Sequence, residues 1–148
     1  MKPVMQTTFA AKDDGGEWLA RGNCLQAALA SIFELELDEV PHFVGMGEAV
    51  WWEQFWLWLR ARNIEVHYER VAGDDGEFYG WRPLQVPYLL GGPSPRGEFA
   101  HVVVAKNHEV IHDPHPDGTG LAPGWRGVYF FLPLDPAKQP LLSDEAES

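Results

Sequence analysis

The chain has a single cysteine, only 11 lysines and arginines against 22 aspartates and glutamates, and no apolar run long enough to cross a bilayer. Each shortage excludes something. One cysteine cannot form an intramolecular disulfide, so the fold must rest on its core. A net charge of −11 repels a phosphate backbone and an anionic lipid surface, so neither nucleic acid nor a membrane is an expected partner. Met1 to Ala11 carries neither a charged segment nor an apolar segment of the signal-peptide kind, so a cytoplasmic location is expected.

What is present points to a packed domain. A length of 148 residues suits one domain, which buries roughly 70% of the surface that its unfolded chain exposes. The 13% aromatic content, with seven tryptophans, argues against disorder. No internal repeat or linker is found. The domain is read as residues 1–142, and the run Ser143-Asp144-Glu145-Ala146-Glu147-Ser148 as an acidic, disordered tail.

Helical signals dominate the first half. Asn23 followed by Gln26 reads as a capping box, and Leu25, Ala28, Leu29, Ile32 and Phe33 follow with helical spacing. They predict a helix of about three turns starting at Cys24. Asp38 to Pro41 reads as a short helical turn, and about Glu48 to Arg62 as a Trp-rich, largely buried helix that serves the core rather than a binding surface. The second half reads as strands at Ile64 to Tyr68, Val86 to Leu90, Phe99 to Ala105, Glu109 to Ile111 and Val128 to Leu132. Gly73 to Gly80 and Gly91 to Gly97 read as loops. Helices followed by a mainly antiparallel sheet make an α+β fold.

The lone cysteine decides the functional reading. An inert core thiol has no reason to sit in the first turn of a helix, whereas a thiolate is stabilised there by free N–H groups and the helix dipole. Gly22 leaves room for another chain segment beside the sulfur. Such a nucleophile needs a base, and the base needs a group to orient it. His101 opens the apolar strand His101-Val102-Val103-Val104, and Asp113 follows its hairpin. A turn at Lys106 to His108 would place positions 101 and 113 opposite each other, within side-chain reach.

The segments Gly22-Asn23-Cys24-Leu25-Gln26-Ala27-Ala28-Leu29, His101-Val102-Val103-Val104 and His112-Asp113-Pro114 together resemble the papain-like cysteine peptidase superfamily, and within it the bacterial C39-like branch. That branch usually has Asp-Cys-Gly where this chain has Asn-Cys-Leu. The resemblance implies a papain-like fold with the nucleophile at the start of the central helix. Cys24, His101 and Asp113 would then be the catalytic triad, and Gln6 an oxyanion donor. Gln6 precedes Cys24 by 18 residues, longer than the family spacing, so Asp13 to Glu17 would loop out between them.

The expected function is thiol-dependent hydrolysis of a peptide or isopeptide bond in a peptide or protein substrate. Two alternatives stay open: a transglutaminase-like or amidase enzyme with the same triad, and a non-catalytic binding protein. His112, His115 and Asp117 stand with Asp113 in a cluster that could hold a metal. Pro114 and Pro116 restrict convergence there, so a loop beside the site is preferred, and no metal or cofactor is expected. His42, His67 and His108 read as surface or turn residues. Arg96 is available for a substrate carboxylate, unless its loop is only a proline-stiffened connection.

Overall fold

The computed structural model describes residues 1–72 and 85–140. The loop expected at Gly73 to Gly80 and the acidic tail lie outside the described residues. The chain forms a mixed α+β fold. It opens on a small hairpin, β1 (Ala11–Lys12) and β2 (Trp18–Ala20), followed by α1 (Cys24–Phe33), two 3-10 turns at Leu37–Glu39 and Val44–Met46, and α2 (Trp51–Arg60). Five strands follow: β3 (Ile64–Ala72), β4 (Tyr88–Pro93), β5 (Ala100–Lys106), β6 (Glu109–His112) and β7 (Arg126–Pro133). They make one sheet in the order β3-β7-β4-β5-β6, and every pairing in it is antiparallel.

Helix α1 is short and rich in alanine, which lets its backbone approach β5 and β4 closely. Ala27, Ala28, Leu29 and Ala30 are fully buried. Ala28, Leu29 and Ala30 join Leu89, Val102, Val104, Phe43, Phe55 and Leu59 in the main core. Alternation along β5 sends Val103 and Ala105 to the opposite face, into a second cluster with Val71, Tyr88, Leu90 and Val128. Helix α1 ends at Glu34 in the left-handed region (φ 59°), whose N–H returns to the last-turn carbonyls.

Three expectations need correction. Gly91, Gly92 and Pro93 continue β4 instead of starting a loop, with Gly92 opposite His101. Here glycine serves contact rather than flexibility, because a Cβ on Gly92 would lie 2.8 Å from the Arg126 guanidinium and 3.1 Å from the Trp125 carbonyl. The β5–β6 hairpin turns tightly at Asn107 (φ 52°) and His108 (φ 67°), the positive-φ pair that suits strand twist. A bulge between Val104 and Ala105 then shifts the ladder, pairing Val104 with His112. Strand β6 ends there, so His101 and Asp113 are not cross-strand partners. Finally, α2 buries only Phe55 and Leu59 fully. Its other aromatic rings lie partly open, with Arg60 over Trp56 at 4.5 Å and Arg62 over Trp58 at 4.2 Å. No helix among the described residues is long and apolar enough to cross a membrane.

Candidate active site

Cys24 is the first residue of α1 and is partly exposed. The capping box is absent. The Asn23 side chain accepts no bond from the backbone N–H groups of the helix start. Its Oδ1 accepts from the Thr7 and Thr8 N–H groups, both at 2.9 Å, and its Nδ2 donates to Thr7 Oγ1 and Gln26 Oε1. Gln26 in turn donates to the Leu37 and Val40 carbonyls. The physical reason is a competing demand. The segment before the hairpin passes against the helix start, and buried Asn23 accepts from two of its N–H groups instead. No side chain therefore caps the first turn of α1, which leaves the Cys24 N–H as a donor beside the sulfur.

His101 is buried and enters from β5, where backbone pairing with Gly92 fixes it. Its Nε2 lies 2.7 Å from Asp113 Oδ1. The Cys24 side chain lines the same cleft as the imidazole and is close enough to act on its charge. With Nε2 held by Asp113, the nitrogen left for Cys24 is Nδ1. Burial disfavours the imidazolium, but the hydrogen bonds and charges of Asp113 and Cys24 outweigh it and raise the His101 pKa to about 9. Asp113 stands just beyond β6, on a loop that closes on its carboxylate. Oδ1 also accepts from His115 N–H at 2.9 Å, and Oδ2 accepts from Gly120 N–H at 2.8 Å. Burial works against the Asp113 carboxylate, yet these three donors hold its pKa below the ordinary value.

Gln6 is also buried and lines the same cleft. Its N–H donates to the Pro114 carbonyl at 3.0 Å, its Nε2 to the Thr8 carbonyl at 2.9 Å, and its Oε1 has no partner among the described residues. One side of Gln6 is thus tied to the Asp113 loop, and the other, through Thr7 and Thr8, to Asn23. Gly22 makes this possible, since a Cβ there would lie 2.9 Å from Ala10 N and 3.5 Å from Gln6 Nε2. The residues between Gln6 and Cys24 do loop out, as the β1–β2 hairpin.

The four residues Gln6, Cys24, His101 and Asp113 are therefore neighbours, and the first three line a cleft of about 720 Å³. Arg96 also lines it and is held through one guanidinium nitrogen by the Asp117 loop. Its Nη1 lies 3.0 and 3.1 Å from the two Asp117 oxygens and 3.1 Å from Thr119 Oγ1. Those contacts, after the Thr119 bonds, lower the Asp117 pKa to about 2. His112 and His115 diverge. His112 Nε2 donates to the Val4 carbonyl, whereas His115 sits on the cleft wall with its Nδ1 accepting from Asp117 N–H. Among the described residues, no three His, Cys, Asp or Glu side chains converge in a way that could hold a metal. His42 accepts from Gly45 N–H, His67 is exposed on β3, and His108 is a turn residue.

Sequence reading passed over several cleft residues. Trp18, Trp51, Phe99 and Tyr129 supply aromatic walls, and Trp51 belongs to the helix read as serving the core rather than a binding surface. A tryptophan flanked by Lys12 and Arg21 around a Gly-Gly turn was an available sign of an ordered hairpin. Nothing in the sequence distinguished a capping Asn23 from one that ties down a neighbouring segment.

No protein-family model matches the chain, no curated protein is similar to it in sequence, and no solved structure matches its fold.

Proposed function

We propose that the protein is a thiol-dependent hydrolase of the papain-like, C39-like kind, cleaving an amide bond of the peptide or isopeptide type. One observation carries the reading: His101 lies between Asp113 and a partly exposed cysteine at a helix start. Supporting it are a helix that precedes an antiparallel sheet and a buried glutamine beside the nucleophile.

In this mechanism the Cys24 thiolate attacks the carbonyl carbon, and the C=O electron pair moves to oxygen. The Cys24 N–H and the second Nε2 proton of Gln6 receive that oxyanion, an arrangement worth roughly 3 kcal/mol per donor. Collapse re-forms the carbonyl and breaks the C–N bond, while the His101 imidazolium gives its proton to the leaving amine. A thioester on Cys24 remains. His101 then removes a proton from water, the hydroxide adds to the thioester, and the carboxylic acid departs as the thiolate is restored. Asp113 holds the imidazole in place through Nε2 and keeps its charge matched. The open cleft at the sulfur favours catalysis over a purely binding role.

The test is alkylation of Cys24 by iodoacetamide at pH 6. The wild type should react far faster than a free thiol, and His101→Ala should remove most of the advantage. Equal rates in the two proteins would remove His101 as the partner of Cys24 and the hydrolase reading with it. Peptide and isopeptide libraries screened for turnover would then identify the scissile bond.

A further inference from the structure

We infer that the β1–β2 hairpin closes one end of the cleft, so that the site accepts an amide with a free end next to the scissile bond and rejects the interior of a polypeptide chain. This inference rests on the hydrolase reading and specifies its substrate class.

The hairpin belongs to the cysteine side of the cleft, because both its ends lie between Gln6 and Cys24. It is built to keep its shape. Its base is closed by Thr8 Oγ1 donating to the Arg21 carbonyl and by Asn23 N–H donating to the Thr8 carbonyl. Its tip is closed by Asp13, whose Oδ1 accepts from Gly15 and Glu17 N–H at 2.9 Å each. The opposing loop, Ser94 to Phe99, belongs to the histidine side and runs directly into His101. It too is braced, by Ser94 N–H donating to the Phe99 carbonyl and by Arg96 on Asp117.

The two walls meet. Lys12 Nζ donates to the Glu98 carbonyl at 2.9 Å, and the Trp18 and Phe99 rings pack with centroids 6.1 Å apart. Lys12 and Arg21 both lie over the Trp18 ring, at 4.5 and 4.2 Å, and hold it in position. Lys12, Trp18, Glu98 and Phe99 all line the same cavity as Cys24 and His101. The bridge therefore crosses the cleft from the cysteine wall to the histidine wall. An extended polypeptide passing through an active site must continue on both sides of the scissile bond at about 3.3 Å per residue. A bridged cleft stops it on one side. The cavity of about 720 Å³ also lies within the roughly 300–1,000 Å³ typical of compact ligands. A chain terminus, an isopeptide-linked side chain and a small amide share the required chemistry.

The experiment compares Cys24 labelling by three electrophiles: iodoacetamide, a peptide epoxide with a free end one residue from the warhead, and the same epoxide extended by several residues on both sides. Wild type should label with the one-ended epoxide at least tenfold faster than with the two-ended one. Lys12→Met and the Lys12→Met/Trp18→Ala double variant should accept the two-ended epoxide nearly as well as the one-ended one, and each variant's epoxide rates are normalised to its own iodoacetamide rate. Lys12→Met keeps the aliphatic stem over Trp18, so it guards against a folding defect in the double variant. Equal labelling of wild type by both epoxides, or discrimination that persists in both variants, would overturn the inference. Loss of the hydrolase reading is recognised separately, by an iodoacetamide rate that does not respond to His101→Ala.

Discussion

At the rear of the cleft, the side chains of His101 and Asp113 are 3% and 5% exposed and lie 2.7 Å apart, with two backbone N–H groups on the same carboxylate. At the front, Lys12 reaches a carbonyl at the protein surface and Trp18 rests against Phe99, both partly open to water. The rear is held by charge-assisted bonds in a dry setting, where removing one partner strands the others. The front is held by contacts that water can replace. Mutations at the rear should therefore cost stability and turnover together, whereas mutations at the front should change what enters while leaving the fold intact.

The sharpest way to break this contrast is at Asp113. Asp113→Ala leaves the His115 and Gly120 amides and the imidazole without their acceptor, and should destabilise the protein by about 3 kcal/mol in a denaturant titration. Peptide turnover should follow the order wild type, Asp113→Asn, Asp113→Ala, with Cys24→Ser losing nearly all of it. An Asp113→Ala protein as stable as wild type would show that the rear is not held as described.

Gln6→Ala should lower kcat by roughly 100-fold or more, because one oxyanion donor is lost. Iodoacetamide labelling of Cys24 should hardly change, since alkylation develops no oxyanion. A parallel fall in both rates would assign Gln6 to the structure of the site instead.

Asn23→Ala acts one step further back. It leaves the Thr7 and Thr8 N–H groups unpaired at a cost of roughly 1–3 kcal/mol. It should also lower kcat through a displaced Gln6, with little change in KM. Combining it with Gln6→Ala should give less than the product of the two effects on kcat.

The pH dependence separates rear from front again. His101 has a folded pKa of about 9 against an ordinary 6.5. Its contribution to stability is fully present below pH 6.5 and is lost as pH rises through 9. Asp113 has a lowered folded pKa, so its contribution is present above about pH 4 and lost as pH falls below that. The ratio kcat/KM should fall above about pH 9, where the leaving amine loses its proton donor. Lys12→Met should leave both limbs of the stability profile in place, whereas Asp113→Asn should flatten them.

The smallest effect is expected at the front. Lys12→Met should change unfolding free energy by less than about 0.5 kcal/mol, as exposed polar contacts usually do. A larger loss would mean that the bridge supports the fold and does not merely gate the cleft.

The two regions also differ in how legible they were. The start of α1 at Cys24 was readable from the apolar spacing that follows it, which is a local signal, although the capping box also read there is absent. The tight turn at Asn107 and His108 was readable for the same reason. The path of Gly91 to Pro93 was not, because a glycine that allows close packing against Arg126 and Trp125 looks the same in sequence as one that breaks a strand. The hairpin at the front was foreseen only as residues looping out, since two short strands of two and three residues carry almost no periodic signal.

By itself the sequence determined most of the element types, the acidic character of the molecule, and which side chains the proposed chemistry would use. These follow from residue identity and from spacing within a few turns or strand repeats. Tertiary structure alone decided that Asn23 ties down the Gln6 segment instead of capping its helix, that Asp113 meets His101 from beyond the end of a bulged strand, and that the hairpin reaches Glu98 across the cleft. Each of these depends on strand register and on which buried N–H groups lack acceptors. Such demands arise only when distant segments are packed together, so no local pattern can carry them.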